Sequence, residues 1–138
     1  MSQYSERLAK LKKELALETL KRKKKKKKFT DNQTIMIKFI NAVTDRAIFS
    51  IKGMRVVITR ANLSHILKHY CSGCRGEIDL NDILNFDLYL NRAIQLANYG
   101  VSDSHKKVFQ YIKGLTHYKI ILEEVSANNY VVSFYSVD

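Results

Sequence analysis

Apolar residues at three- and four-residue spacing predict a long amphipathic helix at the start of the chain. Residue types that favour helix run through residues 5–28, and the apolar positions that define one face are Tyr4, Leu8, Leu11, Leu15 and Leu20. The last turns read KRKKKKKK, with six consecutive lysines from Lys23. Because like charges at this density repel one another, we expect helical order to fade before Lys28.

The middle of the chain alternates between helical and strand patterns. A second helix is predicted from about Asp31, capped by Thr30 or Asp31, with an apolar face of Ile35, Met36, Phe39, Ile40 and Val43. The run AIFSIKGMRVVIT predicts a β-hairpin that turns at Lys52-Gly53. A short helix is predicted in NLSHILKHY with Asn62 as its cap, and the spacing over residues 80–100 predicts one or two helices ended by Gly100.

The last third of the chain has a strand pattern. Residues 108–112, 116–122 and 130–135 are runs of β-branched and aromatic residues, separated by the short connections KGL and SANN. These runs predict an antiparallel meander. The whole pattern therefore predicts an α+β fold in which N-terminal helices are followed by an antiparallel β-meander, with a basic helical extension before them.

Composition places most of the charge in one segment. The 138 residues include 24 Lys and Arg against 13 Asp and Glu, a formal net charge of +11. Residues 1–28 hold 12 basic and 3 acidic residues, a net of +9, which leaves +2 for residues 29–138. We therefore divide the chain into a basic amphipathic tail, residues 1–28, and a single α+β domain, residues 29–138.

The tail has three interpretations. It is a solvated solubility tag, an electrostatic arm for nucleic acid, or a basic helix on a membrane surface. As a nucleic-acid arm its RNA-binding residues would be Lys23, Lys24, Lys25, Lys26, Lys27 and Lys28. On that interpretation, deletion of residues 1–28 should weaken salt-sensitive binding far more than folding. No apolar run is long enough to cross a bilayer and no signal peptide is evident, so we expect a cytoplasmic protein.

One short segment concentrates potential metal ligands. The sequence HILKHYCSGC places His65, His69, Cys71 and Cys74 within ten residues. This spacing permits zinc binding or CxxC redox chemistry, but structural zinc sites usually join two separated half-sites, and no βαβ context surrounds the cysteines. We therefore predict two reduced loop cysteines, no metal and no cofactor.

A second set of residues lies on the predicted sheet. Alternation along a strand puts His117 and Lys119 on one face and Tyr118 and Ile120 on the other, and it pairs Ser133 with Tyr135 on the last strand. If the short helix packs beside that sheet, one cleft would contain the candidate catalytic residues His65, Arg60, His117, Lys119, Ser133 and Tyr135. Such a set suits metal-free RNA cleavage, in which a histidine deprotonates the 2′-hydroxyl, a cation stabilises the phosphorane and an acid protonates the leaving oxygen. Signatures of nucleotide binding and of common hydrolases, such as GxGxxG, the P-loop, HExxH and GxSxG, are absent from the sequence.

The order of these segments resembles a known nuclease superfamily. The segments are FSIKGMRVVIT, NLSHILKH, HYKIILE and YVVSFY, and the resemblance covers roughly residues 46–136. They resemble the phage branch of the barnase/EndoU/colicin/RelE-like (BECR) nucleases, in which a strand leads into a helix of the form sHILkrH and a meander ends in an (S/T)-F-Y strand. The resemblance implies a metal-independent ribonuclease of phage or toxin type. It matches His65 and His69 to the two helix histidines and Ser133 to the terminal-strand hydroxyl, with Arg60 and Lys119 as the cations.

The sequence thus supports an endoribonuclease as the leading hypothesis. The alternative is a non-catalytic nucleic-acid-binding or phage accessory protein on the same scaffold, and a third is a small zinc-bound regulator. RNA is the expected partner, and an antitoxin or immunity protein would be expected for a toxic ribonuclease. No pattern in the residues specifies the RNA target or the oligomeric state.

Overall fold

The computed structural model describes residues 3–96 and 105–137, which form one layer of helices against one sheet. In chain order the described elements are α1 (Gln3–Lys24), α2 (Asp31–Ile40), β1 (Arg46–Ile51), β2 (Met54–Thr59), α3 (Arg60–Leu67), α4 (Leu80–Leu84), α5 (Phe86–Arg92), β3 (Ile94–Leu96), β4 (Lys106–Lys113), β5 (Thr116–Ser126) and β6 (Asn129–Val137). The predicted α+β class is confirmed. No helix in the described ranges is both long and apolar enough to span a bilayer.

The sheet is mixed rather than wholly antiparallel. Its strand order is β1-β2-β6-β5-β4-β3, and the predicted β1–β2 hairpin and β4–β5–β6 meander are both antiparallel. The two units join through β2 and β6, which run parallel, with Val56 beside Tyr130. A parallel pair needs a long crossover, and the chain between these strands supplies it. The expectation of an antiparallel sheet is thus corrected at this one junction.

The predicted helical region over residues 80–100 ends early. It contains α4 and α5, and Ala93 then takes an extended conformation with φ −71° and ψ 153°. Ile94 and Leu96 follow as an edge strand, opposite Gln110 and Val108 of β4. Pairing with β4 therefore overrides the helical spacing, and the predicted stop at Gly100 lies outside the described residues.

The predicted N-terminal tail is part of the core. Helix α1 ends at Lys24, before Lys28 as expected, but Leu11 and Leu15 are completely or almost completely buried. The guanidinium of Arg7 also donates to the carbonyl oxygen of Leu67 at 3.1 Å. Deletion of residues 1–28 would therefore expose core surface, and it is not a test of charge alone.

Helices α2 and α3 each have a capping box at the N-terminus. Thr30 caps α2 as predicted, in a reciprocal box with Gln33. The cap of α3 is Thr59 rather than the predicted Asn62, whose side chain instead closes the box from the third helical position. This capping fixes where β2 ends and where the helix carrying His65 begins.

The described helices pack against the same face of the sheet. Phe134 of β6 and Ile120 of β5 point into the core, as does Tyr118. Because side chains alternate along a strand, Ser133 and Tyr135 lie on the opposite face, together with His117 and Lys119. The predicted sharing of faces is confirmed. We call the face opposite the helices the open face.

Candidate functional site

The loop after α3 carries a histidine to the end of β6. This loop spans residues 68–79 and is held by two backbone hydrogen bonds, from the Ile78 amide to the His69 carbonyl at 2.8 Å and from the Ser136 amide to the Gly76 carbonyl at 3.2 Å. Strand β6 extends past its pairing with β2, which covers only its first residues. The loop occupies the sheet position that β2 leaves vacant beside Ser136.

The ring of His69 has a fixed orientation in this loop. Its Nδ1 atom lies 3.0 Å from the carbonyl oxygen of Arg75, and its ring lies 5.3 Å from that of Tyr135 at an angle of 30°. A carbonyl oxygen only accepts hydrogen bonds, so Nδ1 carries the proton in this contact. In the neutral imidazole, Nε2 therefore holds the lone pair and can accept a proton.

Gly76 allows this packing. Its φ is +75°, and a Cβ atom there would lie 2.6 Å from Nδ1 of His69 and 3.3 Å from Cβ of Tyr135. The chain thus uses glycine both for its backbone conformation and for the space beside the imidazole.

A surface cavity of about 380 Å³ opens at this point, and we call it the His69 cavity. Lys119 lies directly opposite Tyr135 in the β5–β6 register. No carboxylate is among the described residues that line the cavity, which are His69, Arg75, Gly76, Lys119, Tyr135, Ser136 and Val137. A histidine, a tyrosine and two cations therefore surround a space that suits an anion.

Of the six predicted catalytic residues, Lys119 and Tyr135 line the His69 cavity. Two more lie on the open face beside it. Ser133 is exposed two positions before Tyr135, and His117 is exposed opposite Val137, where its Nδ1 lies 3.2 Å from Nε2 of Gln110.

The other two predicted residues lie elsewhere. The guanidinium of Arg60 donates to the carbonyl oxygens of Phe39 and Thr44 and covers the Phe39 ring at 4.4 Å. His65 is exposed on α3. This helix packs on the Phe134 side of the sheet, whereas Tyr135 faces away from it. The predicted single cleft of six residues is therefore not assembled.

Five of the seven described residues that line the cavity are not in the predicted catalytic set. They are His69, which the resemblance matches only to the second helix histidine, and Arg75, Gly76, Ser136 and Val137. The available signal was the second histidine of HILKH followed by a glycine-containing loop. Nothing in the spacing shows that this loop folds back against β6.

The expectation of two reduced cysteines is wrong for this structure. Cys71 and Cys74 form a disulfide within the same loop. The alternative zinc site is not assembled, because no three His, Cys, Asp or Glu side chains in residues 3–96 and 105–137 are grouped so that they could hold a metal ion.

Part of the lysine run forms a second basic surface. The amide of Lys27 donates to the carbonyl of Arg22 at 2.9 Å, and Lys26 adopts φ +55°, so the chain turns back over the end of α1. Arg22 is held by Glu18 at 3.0 Å and stacks on Phe29 at 4.3 Å. The resulting space of about 510 Å³, here called the basic pocket, is lined by Glu18, Lys21, Arg22, Lys25, Lys27 and Lys28.

Of the six lysines predicted to bind RNA, Lys25, Lys27 and Lys28 line the basic pocket. The other three, Lys23, Lys24 and Lys26, are exposed and lie outside its lining. The six consecutive lysines thus form two groups of three, one inside and one outside the lining of the basic pocket.

A buried carboxylate joins the helices to the sheet. Asp82 is 4% exposed, and its Oδ1 accepts hydrogen bonds from the hydroxyls of Tyr118 at 2.8 Å and Tyr89 at 2.9 Å. Burial raises the pKa of Asp82, although its hydrogen bonds act in the opposite direction. Burial and the Asp82 carboxylate also raise the pKa of both tyrosines. This cluster does not line the His69 cavity, and we assign it a structural role.

No protein-family model, curated protein or solved structure matches this chain. Functional inference therefore depends on the geometry of the two basic surfaces.

Proposed function

We propose that the chain is a metal-independent endoribonuclease with the His69 cavity as its active site. The proposal includes the BECR-like character of the fold. It assigns the general base to His69, a residue that the resemblance matched to the second helix histidine, rather than to His65.

The observation that carries the proposal is the hydrogen bond between Nδ1 of His69 and the Arg75 carbonyl. It orients the imidazole and leaves Nε2 able to remove a proton from a ribose 2′-hydroxyl. The resulting 2′-oxygen attacks the adjacent phosphorus, and the 5′-oxygen leaves. The products are a 2′,3′-cyclic phosphate and a 5′-hydroxyl end.

The remaining groups in the cavity supply the other requirements of this reaction. Arg75 and Lys119 are the cations that would stabilise the charge on the pentavalent phosphorane. The hydroxyl of Tyr135 is the candidate acid for the departing 5′-oxygen, because its ring lies beside that of His69. Lys119 therefore keeps its predicted role as a cation and Tyr135 stays in the catalytic set, whereas Arg60 and His65 have no role in this mechanism.

The basic pocket adds affinity for the substrate. Lysines that neutralise RNA phosphates release condensed counterions, so binding depends steeply on salt. RNA is accordingly the proposed partner. An antitoxin or immunity protein belongs to the same proposal, since an unconfined ribonuclease would damage the cell that makes it.

The decisive experiment incubates the full chain with RNA in excess EDTA and analyses the product ends. Wild-type protein should produce 2′,3′-cyclic phosphate ends, and a single 2′-deoxy nucleotide at a cleavage position should block cleavage there. His69→Ala should lower the rate at least about 100-fold, which is the usual effect of losing a general base. His65→Ala, purified in the same way, is the matched control and should retain activity.

Two outcomes would contradict the proposal. Loss of activity in His65→Ala but not in His69→Ala would move the site to α3. Intact RNA with retained binding would favour the alternative, a nucleic-acid-binding or phage accessory protein.

A further inference from the structure

The disulfide lies inside the turn that orients His69. Cys71 and Cys74 are bonded, His69 precedes Cys71 by two residues, and Arg75 follows Cys74 directly. The disulfide ring thus lies in the chain between His69 and Arg75. These two residues are also joined by the 3.0 Å contact from Nδ1 of His69 to the carbonyl oxygen of Arg75. Breaking the bond between the two sulfurs therefore acts on the segment that connects them.

The disulfide is accessible to a reductant. Cys71 and Cys74 are half-buried, and Ser72 and Gly73 between them are exposed. Apart from Gly73 itself and its neighbours Ser72 and Cys74, no described residue has an atom within 4 Å of the position that a Cβ on Gly73 would occupy. An attacking thiolate can therefore reach this side of the loop.

The loop also accommodates the reduced form. The Cys71 sulfur lies 3.4 Å from the carbonyl oxygen of Lys68, the C-cap of α3, and the Cys74 sulfur lies 3.2 Å from the carbonyl oxygen of Cys71. A thiol is a weak donor, so each S–H group formed by reduction has a carbonyl acceptor at hand. Reduction therefore leaves neither thiol without a nearby acceptor, and the two sulfurs move apart once the bond between them is broken.

We propose that Cys71 and Cys74 form a thiol–disulfide exchange site for dithiol reductants, and that its redox state controls the position of His69. A thiolate of the reductant attacks one sulfur and forms a mixed disulfide, and the other cysteine leaves as a thiolate that takes up a proton. The second thiol of the reductant then displaces the first cysteine. The protein gains two electrons and two protons, and the reductant becomes a disulfide.

The consequence for activity rests on the proposed function. Reduction removes the covalent constraint between His69 and Arg75 and leaves only hydrogen bonds to hold the imidazole. Small displacements of a catalytic group reduce rates strongly. We expect the dithiol form to cleave RNA about tenfold more slowly than the disulfide form.

The test compares the oxidised and the dithiothreitol-reduced full chain. Alkylation followed by mass measurement assigns the redox state, single-turnover cleavage gives the rate, and NMR follows the imidazole signals of His69 as pH is varied. The chain has 2 cysteines, so every effect of the reductant on a protein thiol arises here. Cys71→Ser with Cys74→Ser should match the reduced form and ignore reductant, whereas Ser72→Ala should keep the wild-type response.

The NMR readout separates this inference from the proposed function. A redox-dependent His69 signal in a protein that never cleaves RNA would overturn the nuclease but support the exchange site. Identical His69 signals and identical rates in both forms would overturn the control of His69 by the disulfide. If the double variant does not fold, the comparison of oxidised and reduced wild type decides alone.

Discussion

Gly76 lies against His69 so closely that a Cβ atom at this position would be 2.6 Å from Nδ1 of the imidazole. The added Cβ would thus approach the same ring atom that donates a hydrogen bond to the Arg75 carbonyl oxygen. The ring cannot retain that hydrogen bond and also make room for a methyl group. The position of the proposed general base thus depends on a residue that has no side chain.

Gly76→Ala should therefore remove the proposed ribonuclease activity. Displacing the imidazole should lower kcat/KM on RNA about 100-fold, because a catalytic group moved by about 1 Å loses most of its effect. Gly73→Ala is the matched control, since Gly73 has the same φ of +75° but, apart from its two chain neighbours, no described residue within 4 Å of its added Cβ. Equal losses of activity in the two variants would show that backbone strain, rather than contact with His69, is responsible.

The basic pocket predicts that the contribution of a lysine to RNA binding depends on whether it lines the pocket, and not on its charge alone. Replacement of Lys25, Lys27 and Lys28 by Gln should lower the dependence of log Kd on log salt by about two units for single-stranded RNA, at about 0.7 per lost phosphate contact. The same replacement of Lys23, Lys24 and Lys26 removes the same charge from outside the pocket. This control should have a smaller effect in fluorescence anisotropy titrations. Identical slopes for the two triple variants would show that the pocket has no special role.

Asp82 predicts an unusual pH dependence of stability. Burial raises the pKa of its carboxyl above the value in the unfolded chain, so the folded state binds this proton more tightly. The contribution of Asp82 to the free energy of unfolding is therefore greatest at low pH. It falls as pH rises from about 4, the ordinary carboxyl range, through the higher folded pKa.

This effect is measured as a difference between proteins. Urea unfolding at several pH values should show wild type losing stability relative to Asp82→Asn as pH increases. Asp45→Asn, at an exposed position, controls for the removal of one carboxylate. Wild type gaining stability relative to Asp82→Asn as pH increases would contradict the raised pKa.

Removal of two buried tyrosine hydroxyls should change the stability of the protein in opposite directions. The Tyr70 hydroxyl is buried and makes no hydrogen bond of good geometry among the described residues, although Glu14 is close enough to help raise its pKa. Tyr70→Phe should therefore stabilise the protein by about 1 kcal/mol. Tyr118→Phe removes a donor to the buried Asp82 carboxylate and should cost about 1–3 kcal/mol. Thermal unfolding of both variants checks the signs, and a destabilised Tyr70→Phe would indicate that the hydroxyl has a partner.

Local sequence signals identified most of the elements but not how they join. The β1–β2 hairpin turns at Lys52-Gly53, where both residues have positive φ, and the Thr30 cap of α2 follows from its side-chain chemistry. The parallel pairing of β2 with β6 joins residues more than seventy positions apart, such as Val56 and Tyr130. No local pattern encodes such a pairing, because it depends on how the two antiparallel units dock.

The residues of the candidate site likewise include some that local sequence patterns place and others that depend on how the chain folds. Alternation along two neighbouring strands placed Lys119 and Tyr135 on one face, since side chains on a strand have a period of two. The helical spacing of HILKH did not show which of His65 and His69 lies at the site, because residues four apart share one face of a helix. The helix ends at Leu67, so His69 lies in the following turn rather than on the helical face it would share with His65.

The sequence by itself determined most of the helices and strands, the faces of β5 and β6 and the concentration of positive charge, because each depends on neighbouring residues. Strand β3 is an exception, since pairing with β4 overrides its helical pattern. Only the tertiary structure decided that α1 belongs to the core, that Cys71 bonds to Cys74 and that residues 68–79 bring His69 to Tyr135. These outcomes depend on packing between segments distant in the chain and on the path of one glycine-containing loop. The free energy that selects them comes from surfaces that do not exist until the sheet and helices meet.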